Sequence, residues 1–523
     1  MRVESDTKNG NLLFRFPFFF RATDGARTRD PDLGKVVLYQ LSHCRISLFC
    51  FLRTKITILY VWGNVNNIFE KIIFLEHCPK VCYTLPHETK EGREGMKTQK
   101  TIRAALLGFG TVGGGVYKLL VRRKDELADK TGASMEIGAV LVHNIHKKRE
   151  GVDPALLTDD FEKIVNDPSI AIVIEVMGGI EPARTMILRA LQSGKNVVTA
   201  NKDLIAVHGG ELLAAAKENG VDLLFEAAVA GGIPIIRPLK QCLAGNELSD
   251  VVGIVNGTTN YILTKMFEEN KDFDEALERA KELGYAEADP TADIEGLDAG
   301  RKVAILASTA FHSPVVFDDV YTEGITKISS SDIKYAKEFE CVIKLLGIAR
   351  ERQGQMEAYV CPMLLPEDHP LATVRGSFNA VFVHGDAVDD VMFYGRGAGE
   401  FPTASAVVGD VIDVMRNMEY GCMGRIGCGC YRSVPVKKFR DVKNKFFIRM
   451  QVTNRPGVLA SIAGELGVHK VSISKVVQKV ITKGSAELVI VTEEVKEYHM
   501  SEALEDLKRL EAVQEVSNVI RSY

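Results

Sequence analysis

The chain has 523 residues, 46% of them apolar and 26% charged, which is enough to build several folded domains. Its net charge of -4 gives no electrostatic reason to expect a nucleic-acid partner. No uncharged apolar run reaches the length of about eighteen residues that a membrane span needs, and the stretch at residues 46–62 is cut by Arg53 and Lys55.

Residues 1–95 lack any alternation of strand and helix patterns and include the run FRATDGARTRDPDLGKVVLYQLSHCR. Its ARTRDP segment can be encoded by the complement of a transfer-RNA T-arm, and KEGREG before Met96 by purine-rich sequence of the ribosome-binding type. Translation is therefore expected to start at Met96, with residues 1–95 outside the fold. A targeting peptide is the alternative.

From Thr101 the apolar run TIRAALL leads into Gly108-Phe109-Gly110-Thr111-Val112-Gly113, followed by a helical pattern. Strand, glycine turn, helix is the order a dinucleotide site requires. Gly108 would allow the tight turn, Gly110 the approach of the pyrophosphate, and Gly113 close packing of helix on strand. The plainer alternative is a glycine-rich turn that binds nothing. The next strand, at residues 135–142, should end beside the adenosine ribose, where an acid would hold the 2′-hydroxyl of NAD. The chain offers His143-Asn144-Ile145-His146-Lys147-Lys148-Arg149 instead, so NADP is expected over NAD.

Further strands at residues 170–177 and 196–200 alternate with amphipathic helices, implying a parallel sheet covered on both faces. Ligands of such sheets lie beyond the carboxyl ends of the strands, where Lys202 falls. Asn256-Gly257-Thr258-Thr259 offers hydroxyls and amides to an anion, or simply caps a helix. The run GYAEADPTADIEGLDAGRK then sets Gly284, Glu287, Asp293 and Asp298 before Lys302. Asp298 and Lys302 share a helix face, which suits proton transfer on a substrate carrying an ammonium group, or a plain surface ion pair.

These motifs carry a family resemblance. GFGTVGGGV, TANKD, FEAAVAGGIPII, NGTTNYIL, GYAEADPTADIEGLDAGRK and YGRGAGEFPTASAVVGD stand in the order and approximate spacing of the homoserine dehydrogenases. The resemblance implies reversible NAD(P)-dependent reduction of aspartate 4-semialdehyde to homoserine in threonine, methionine and isoleucine biosynthesis. It implies Lys302 as the acid/base group and Lys202 as a second catalytic lysine that also nears the cofactor. Glu287, Asp298, Gly284, Thr258 and Asp293 would contact substrate. Gly108, Phe109, Gly110, Thr111, Val112 and Gly113, with Gly284 and Gly397, would contact the nucleotide. The Glu226 side chain and the carbonyls of Val229, Gly231 and Ile233 would hold a monovalent cation, usually sodium. With no recognisable secretory signal the thiols are expected to be reduced and the location cytoplasmic, and a homodimer or homotetramer is expected from the family.

The fold class expected is α/β. A Rossmann-type nucleotide domain spans residues 96–226, and an α+β substrate and dimerisation domain spans residues 227–420, its end returning to the cofactor. A linker covers residues 421–445. Residues 446–523 follow a βαββαβ order with a Pro-Gly-Val-Leu turn and resemble an ACT domain, an amino-acid-sensing module. Asn454, Gly457, Val458 and Leu459 are candidate effector contacts, and threonine is the effector the family implies. A dimerisation module without ligand is the alternative. Cys422, Cys428 and Cys430 lack the paired spacing of a zinc site. No cysteine has the setting of the nucleophile in the acyl-phosphate-forming semialdehyde dehydrogenases. A non-catalytic sensor would keep the C-terminal module but need not keep Lys202, Glu287, Asp298 and Lys302 together.

Overall fold

The computed structural model describes residues 2–6, 11–15, 100–427, 429–482 and 484–523. The chain divides into two compact units, Met1–Gly95 and Met96–Tyr523. In the first, Arg2–Asp6 pairs antiparallel with Asn11–Arg15. The expected start at Met96 and the role of Cys428 concern residues outside those described.

The second unit opens with strand β1 (Thr101–Leu107), the glycine turn and helix α1 (Thr111–Arg122). Gly108 takes a left-handed φ of +99°, and a Cβ on Gly113 would lie 2.4 Å from the Gly108 carbonyl oxygen, so the turn admits no side chain there. Strands β2 (Ser134–Leu141), β3 (Leu157–Thr158), β4 (Ile170–Glu175), β5 (Asn196–Thr199) and β6 (Leu223–Leu224) complete a six-stranded sheet. Its order is β3-β2-β1-β4-β5-β6, and every neighbouring pair is parallel. The chain changes direction between β1 and β4, which places the glycine turn at the switch point where such sheets take ligands. Helix α2 (Lys202–Glu218) begins just beyond β5, capped by Asn201, whose side chain accepts from the Leu204 amide.

The second sheet is mixed and larger. Strand β7 (Leu248–Ile254) feeds helix α3 (Gly257–Glu269), and a short helix α4 (Thr291–Ile294) precedes the long α5 (Leu297–Ala310). Strands β8 (Cys341–Arg352), β9 (Gln355–Pro366), β10 (Phe378–Gly385) and β11 (Asp389–Arg396) follow. Helix α6 (Glu400–Tyr420) then returns to the nucleotide lobe, where Val407, Val411 and Val414 share a core with Leu106 and Val116.

The C-terminal module runs β12 (Lys443–Thr453), α7 (Val458–Val468), β13 (Ile473–Thr482), β14 (Ser485–Thr492), α8 (Glu497–Leu507) and β15 (Val513–Ser522). Its last strand pairs in parallel with β9, Met363 opposite Arg521 and Leu364 opposite Ser522. One sheet thus runs β11-β10-β7-β8-β9-β15-β12-β14-β13 through both lobes. Ion pairs reinforce the joint: Arg449 meets Asp332 at 2.8 Å and Arg521 meets Glu323 at 2.6 Å, while Glu497 inside the module holds Arg521 at 2.8 Å. The segment expected as a linker is packed rather than free, since Met356 donates its amide to Pro435 and accepts from Lys437.

Lys344 on β8 is buried, with its ammonium donating to Asn260 Oδ1 on α3 at 2.9 Å and to the Val374 carbonyl at 2.6 Å. Burial, helped by the Arg375 charge, pushes its pKa down to about 7. The unfolded lysine stays protonated to about pH 10.4, so between pH 7 and 10 the unfolded state binds the extra proton and stability rises with pH. Urea unfolding at pH 7, 8 and 9 should show that rise in the wild type and a flatter profile in Lys344→Met.

Candidate functional site

A cleft of about 1200 Å3 opens between the carboxyl ends of the parallel strands and the starts of α3 and α5. It is lined by Val112 of the glycine turn, Lys202 at the start of α2, Thr258 on α3, and Gly284, Glu287, Asp293, Asp298 and Lys302. Gly231 and Gly397 form part of the opposite wall. The remaining residues of the glycine turn lie outside the cleft lining, while Glu226, Val229 and Ile233 are buried below it.

Asp298 sits at the centre, almost fully buried, with one oxygen on each lysine. Its Oδ2 accepts from Lys302 Nζ at 2.6 Å, and its Oδ1 lies 2.7 Å from Lys202 Nζ. The i,i+4 spacing on α5 accounts for the first contact, and the α2 start supplies the second from the other lobe. Burial alone would raise the Asp298 carboxyl; the two ammonium groups outweigh it and hold it well below the usual range. Burial likewise would lower Lys202, but the Asp298 charge more than offsets it and keeps that lysine protonated. Lys302 also donates to the Val255 carbonyl at 2.6 Å, which leaves one N–H of its ammonium for a ligand.

Asn256 does more than the anion-facing run or helix cap read from the sequence. Its Oδ1 accepts from the Thr259 amide and hydroxyl, capping α3. Its Nδ2 donates to Asp293 at 2.7 Å and to Asp298 at 2.9 Å. Asp293 is thus tied to the central carboxylate, and burial together with the Asp298 charge raises its pKa. Thr258 donates to the Tyr285 carbonyl at 2.7 Å, fixing the loop that carries Gly284 and Glu287. Glu287 is exposed on the cleft rim, a carboxylate facing open space. Asn379 was also missed: it lines the cleft, its Oδ1 is buried without a hydrogen-bond partner, and it packs against Gly397.

The nucleotide turn fits a pyrophosphate: α1 begins with no acidic residue in its first turn, and Gly110 at its cap has open space where a Cβ would stand. Beyond β2, residues 143–149 form an exposed loop free of carboxylates, shaped by Asn144 Oδ1 accepting from the amides of His146 and Lys147.

Around the suggested cation loop, the Glu226 carboxylate accepts from the amides of Ile235, Ile236 and Arg237, so much of its capacity is spent on the backbone. Among the described residues no donor reaches the carbonyls of Val229 or Gly231, although both residues are buried. Those free oxygens suit a hard cation, with the Glu226 carboxylate adding charge at longer range. Gly231 has φ +54°, and a Cβ there would lie 2.3 Å from the Gly397 carbonyl oxygen, so the cation loop and the late glycine turn are locked together. Beneath them Asp410 accepts from the Glu226 amide and pairs with Arg237 at 2.7 Å.

The candidate effector residues lie in the C-terminal module and do not line the cleft. Gly457, at φ +88°, caps α7, and Leu459 beside it is exposed. Val458 turns into the module's core, leaving only its backbone for a ligand.

Sequence models of three families match the chain: the homoserine dehydrogenase NAD-binding domain at residues 108–226, the homoserine dehydrogenase domain at residues 234–412, and the ACT domain at residues 446–512. A homoserine dehydrogenase of Bacillus subtilis is 46% identical over 426 residues, covering 81% of this chain and 98% of the relative. The crystal structure of a homoserine dehydrogenase from Thiobacillus denitrificans superimposes with a TM-score of 0.77 at 41% identity, covering 81% of this chain and 99% of that one. A hyperthermophilic archaeal homoserine dehydrogenase in complex with NADPH aligns at 28% identity and a TM-score of 0.51, over 60% of this chain and 97% of its own.

Proposed function

The chain belongs to the homoserine dehydrogenase family, and from that premise we infer how its residues divide the work. The enzyme reduces L-aspartate 4-semialdehyde reversibly to L-homoserine with a nicotinamide cofactor, which supplies the hydride when bound. The bridging of both cleft lysines by one buried carboxylate carries the assignment of roles.

Hydride delivery builds negative charge on the aldehyde oxygen. Lys202, held protonated by Asp298, stabilises that charge without giving up its proton. Lys302 delivers a proton to the same oxygen and recovers it in the oxidative direction. Asp298 fixes both ammonium groups, and Asn256 fixes Asp298. Glu287, exposed on the rim, takes the substrate ammonium, with Thr258 and Gly284 shaping that end of the site. Asp293 is a positioning group held by Asn256.

NADP is the preferred nucleotide, because the basic loop at residues 143–149 accepts a 2′-phosphate and offers no acid to a 2′-hydroxyl. A sodium-class cation on the carbonyls of Val229, Gly231 and Ile233 would stiffen the wall that Gly231 shares with Gly397. Threonine acting at residues 454–459 is the regulatory reading, and the enzyme works in the cytoplasm as a homodimer or homotetramer. Among the described residues no helix is long and apolar enough to cross a membrane.

The direct test is NADPH oxidation with aspartate 4-semialdehyde, repeated with NADH and with added threonine. No turnover with either nucleotide would sink the assignment, an NADH preference would overturn the cofactor reading, and an unchanged rate with threonine would remove the effector. Glu287→Ala should raise the KM for homoserine about tenfold or more while sparing NADPH affinity. Equal losses for both ligands would place Glu287 in the structure rather than at the substrate.

A further inference from the structure

The C-terminal module holds a cluster of side chains for which the dehydrogenase reaction has no use. Glu465 and His469 stand four apart at the end of α7, and Glu502 and Asp506 four apart on α8, so each pair shares one helix face. His469 Nε2 lies 2.9 Å from Asp506 Oδ2 and 3.6 Å from Glu465 Oε1, while its Nδ1 lies 3.8 Å from Glu502 Oε2. One donor atom each from Glu465, His469 and Asp506 falls within 4.8 Å of the others. The imidazole is only 14% exposed, so the ring is held in this orientation.

We propose that Glu465, His469 and Asp506 bind one divalent transition-metal ion of the zinc class, with Glu502 orienting the imidazole. The first argument is charge. Three carboxylates face a single imidazole, whose protonation would supply one positive charge. Of the cations nearby, Arg509 is bonded to the other oxygen of Asp506 at 2.8 Å and Lys508 to Glu505 at 3.1 Å, which leaves Asp506 Oδ2 turned towards the ring. A dication between the two helices balances the cluster better than a proton does.

The second argument is donor chemistry. A nitrogen with two carboxylate oxygens suits zinc, cobalt or nickel, whereas calcium and magnesium prefer oxygen alone. Without the ion, Nε2–H donates to Asp506 Oδ2 at 2.9 Å; the ion would displace that proton, and Nδ1–H would then face Glu502, the arrangement common behind metal-bound histidines. Bonds of about 2.0–2.1 Å in a tetrahedral site place ligand atoms about 3.4 Å apart. The Glu465 contact already has that spacing, and the Asp506 contact reaches it by opening about 0.5 Å. Glu465 and Asp506 are 25% and 37% exposed, so the fourth position faces solvent. The ion would tie the end of α7 to α8, and α7 starts at the Gly457 turn.

The test titrates the full, chelator-stripped chain with zinc and cobalt by equilibrium dialysis, beside His469→Ala, Asp506→Asn and Glu502→Gln. Cysteine thiols elsewhere also take zinc, so the difference between wild type and variant is the readout. Wild type should hold one more equivalent than His469→Ala, with a cobalt spectrum of nitrogen and oxygen ligation and a zinc-dependent rise in Tm that His469→Ala lacks. Asp506→Asn should weaken that equivalent, and Glu502→Gln should weaken it about 10–100-fold at unchanged stoichiometry. Equal stoichiometry in wild type and His469→Ala overturns the proposal. So does the absence of any added ion in wild type at micromolar zinc, which would leave the cluster a bare ion-pair set.

Discussion

Lys302→Ala should lower kcat by about 10²–10⁴-fold while leaving NADPH affinity nearly unchanged. The lysine's two fixed acceptors, Asp298 and the Val255 carbonyl, aim its remaining N–H at the cleft, so its removal deletes a proton donor from the transition state. The nucleotide turn and the start of α1 contain none of its partners. Lys202 remains on Asp298 in the variant, so oxyanion stabilisation persists and residual turnover is expected. Lys302→Arg separates the two contributions: it restores a cation that gives up no proton at working pH, so rescue well short of wild type is expected. Steady-state rates paired with fluorescence titration of NADPH check both, and an unaltered kcat in Lys302→Ala would remove the residue from the mechanism.

Asp298→Asn should be the most destabilising substitution in the cleft. It leaves Lys302, buried on α5, without its anion, and breaking a buried pair from one side costs about 3–5 kcal/mol. Lys202 is more exposed, with 37% of its side chain accessible, and adds less because solvent screens it. The acid limb of stability should change as well. The folded carboxyl is held well below its unfolded value near 3.9, so its contribution is full above that pH and is lost progressively as pH falls from there towards the folded value. Urea unfolding at pH 7 and pH 3 should therefore show a wild-type advantage over Asp298→Asn at the higher pH that shrinks at the lower. A pH-independent difference would mean that Asp298 acts through packing alone.

Sequence periodicity and glycine spacing were sufficient for the parallel strands and the nucleotide turn, because each follows from residues close together in the chain, whereas the switch point depends on the strand order. Lys202, Asp298 and Lys302 were legible as members of motifs, and the i,i+4 contact of the last two was legible as geometry. The bridge from Lys202 to Asp298 was not, since it joins helices from different lobes. Asn256 shows the limit clearly. Its cap on α3 is a local rule, whereas its bonds to Asp293 and Asp298 span 37 and 42 positions and depend on how α4 and α5 fold back. Asn379 and the packed segment at residues 432–437 were invisible for the same reason. The direction of the Lys202 shift also needed three-dimensional distances, because burial and the neighbouring carboxylate oppose each other.

The pairing of β15 with β9 changes what kind of object the C-terminal module is. Its final strand lies between its own β12 and the enzyme's β9, with the Tyr523 amide donating to Leu364. A module attached by a tether can be exchanged for another by recombination at the tether. This one cannot be lifted out as a cassette, because it carries one side of a seam whose other side is a strand of the enzyme. Substitutions at residues 521–523 and at residues 363–364 are therefore expected to drift together, and a graft from another protein would have to import both edges of the seam.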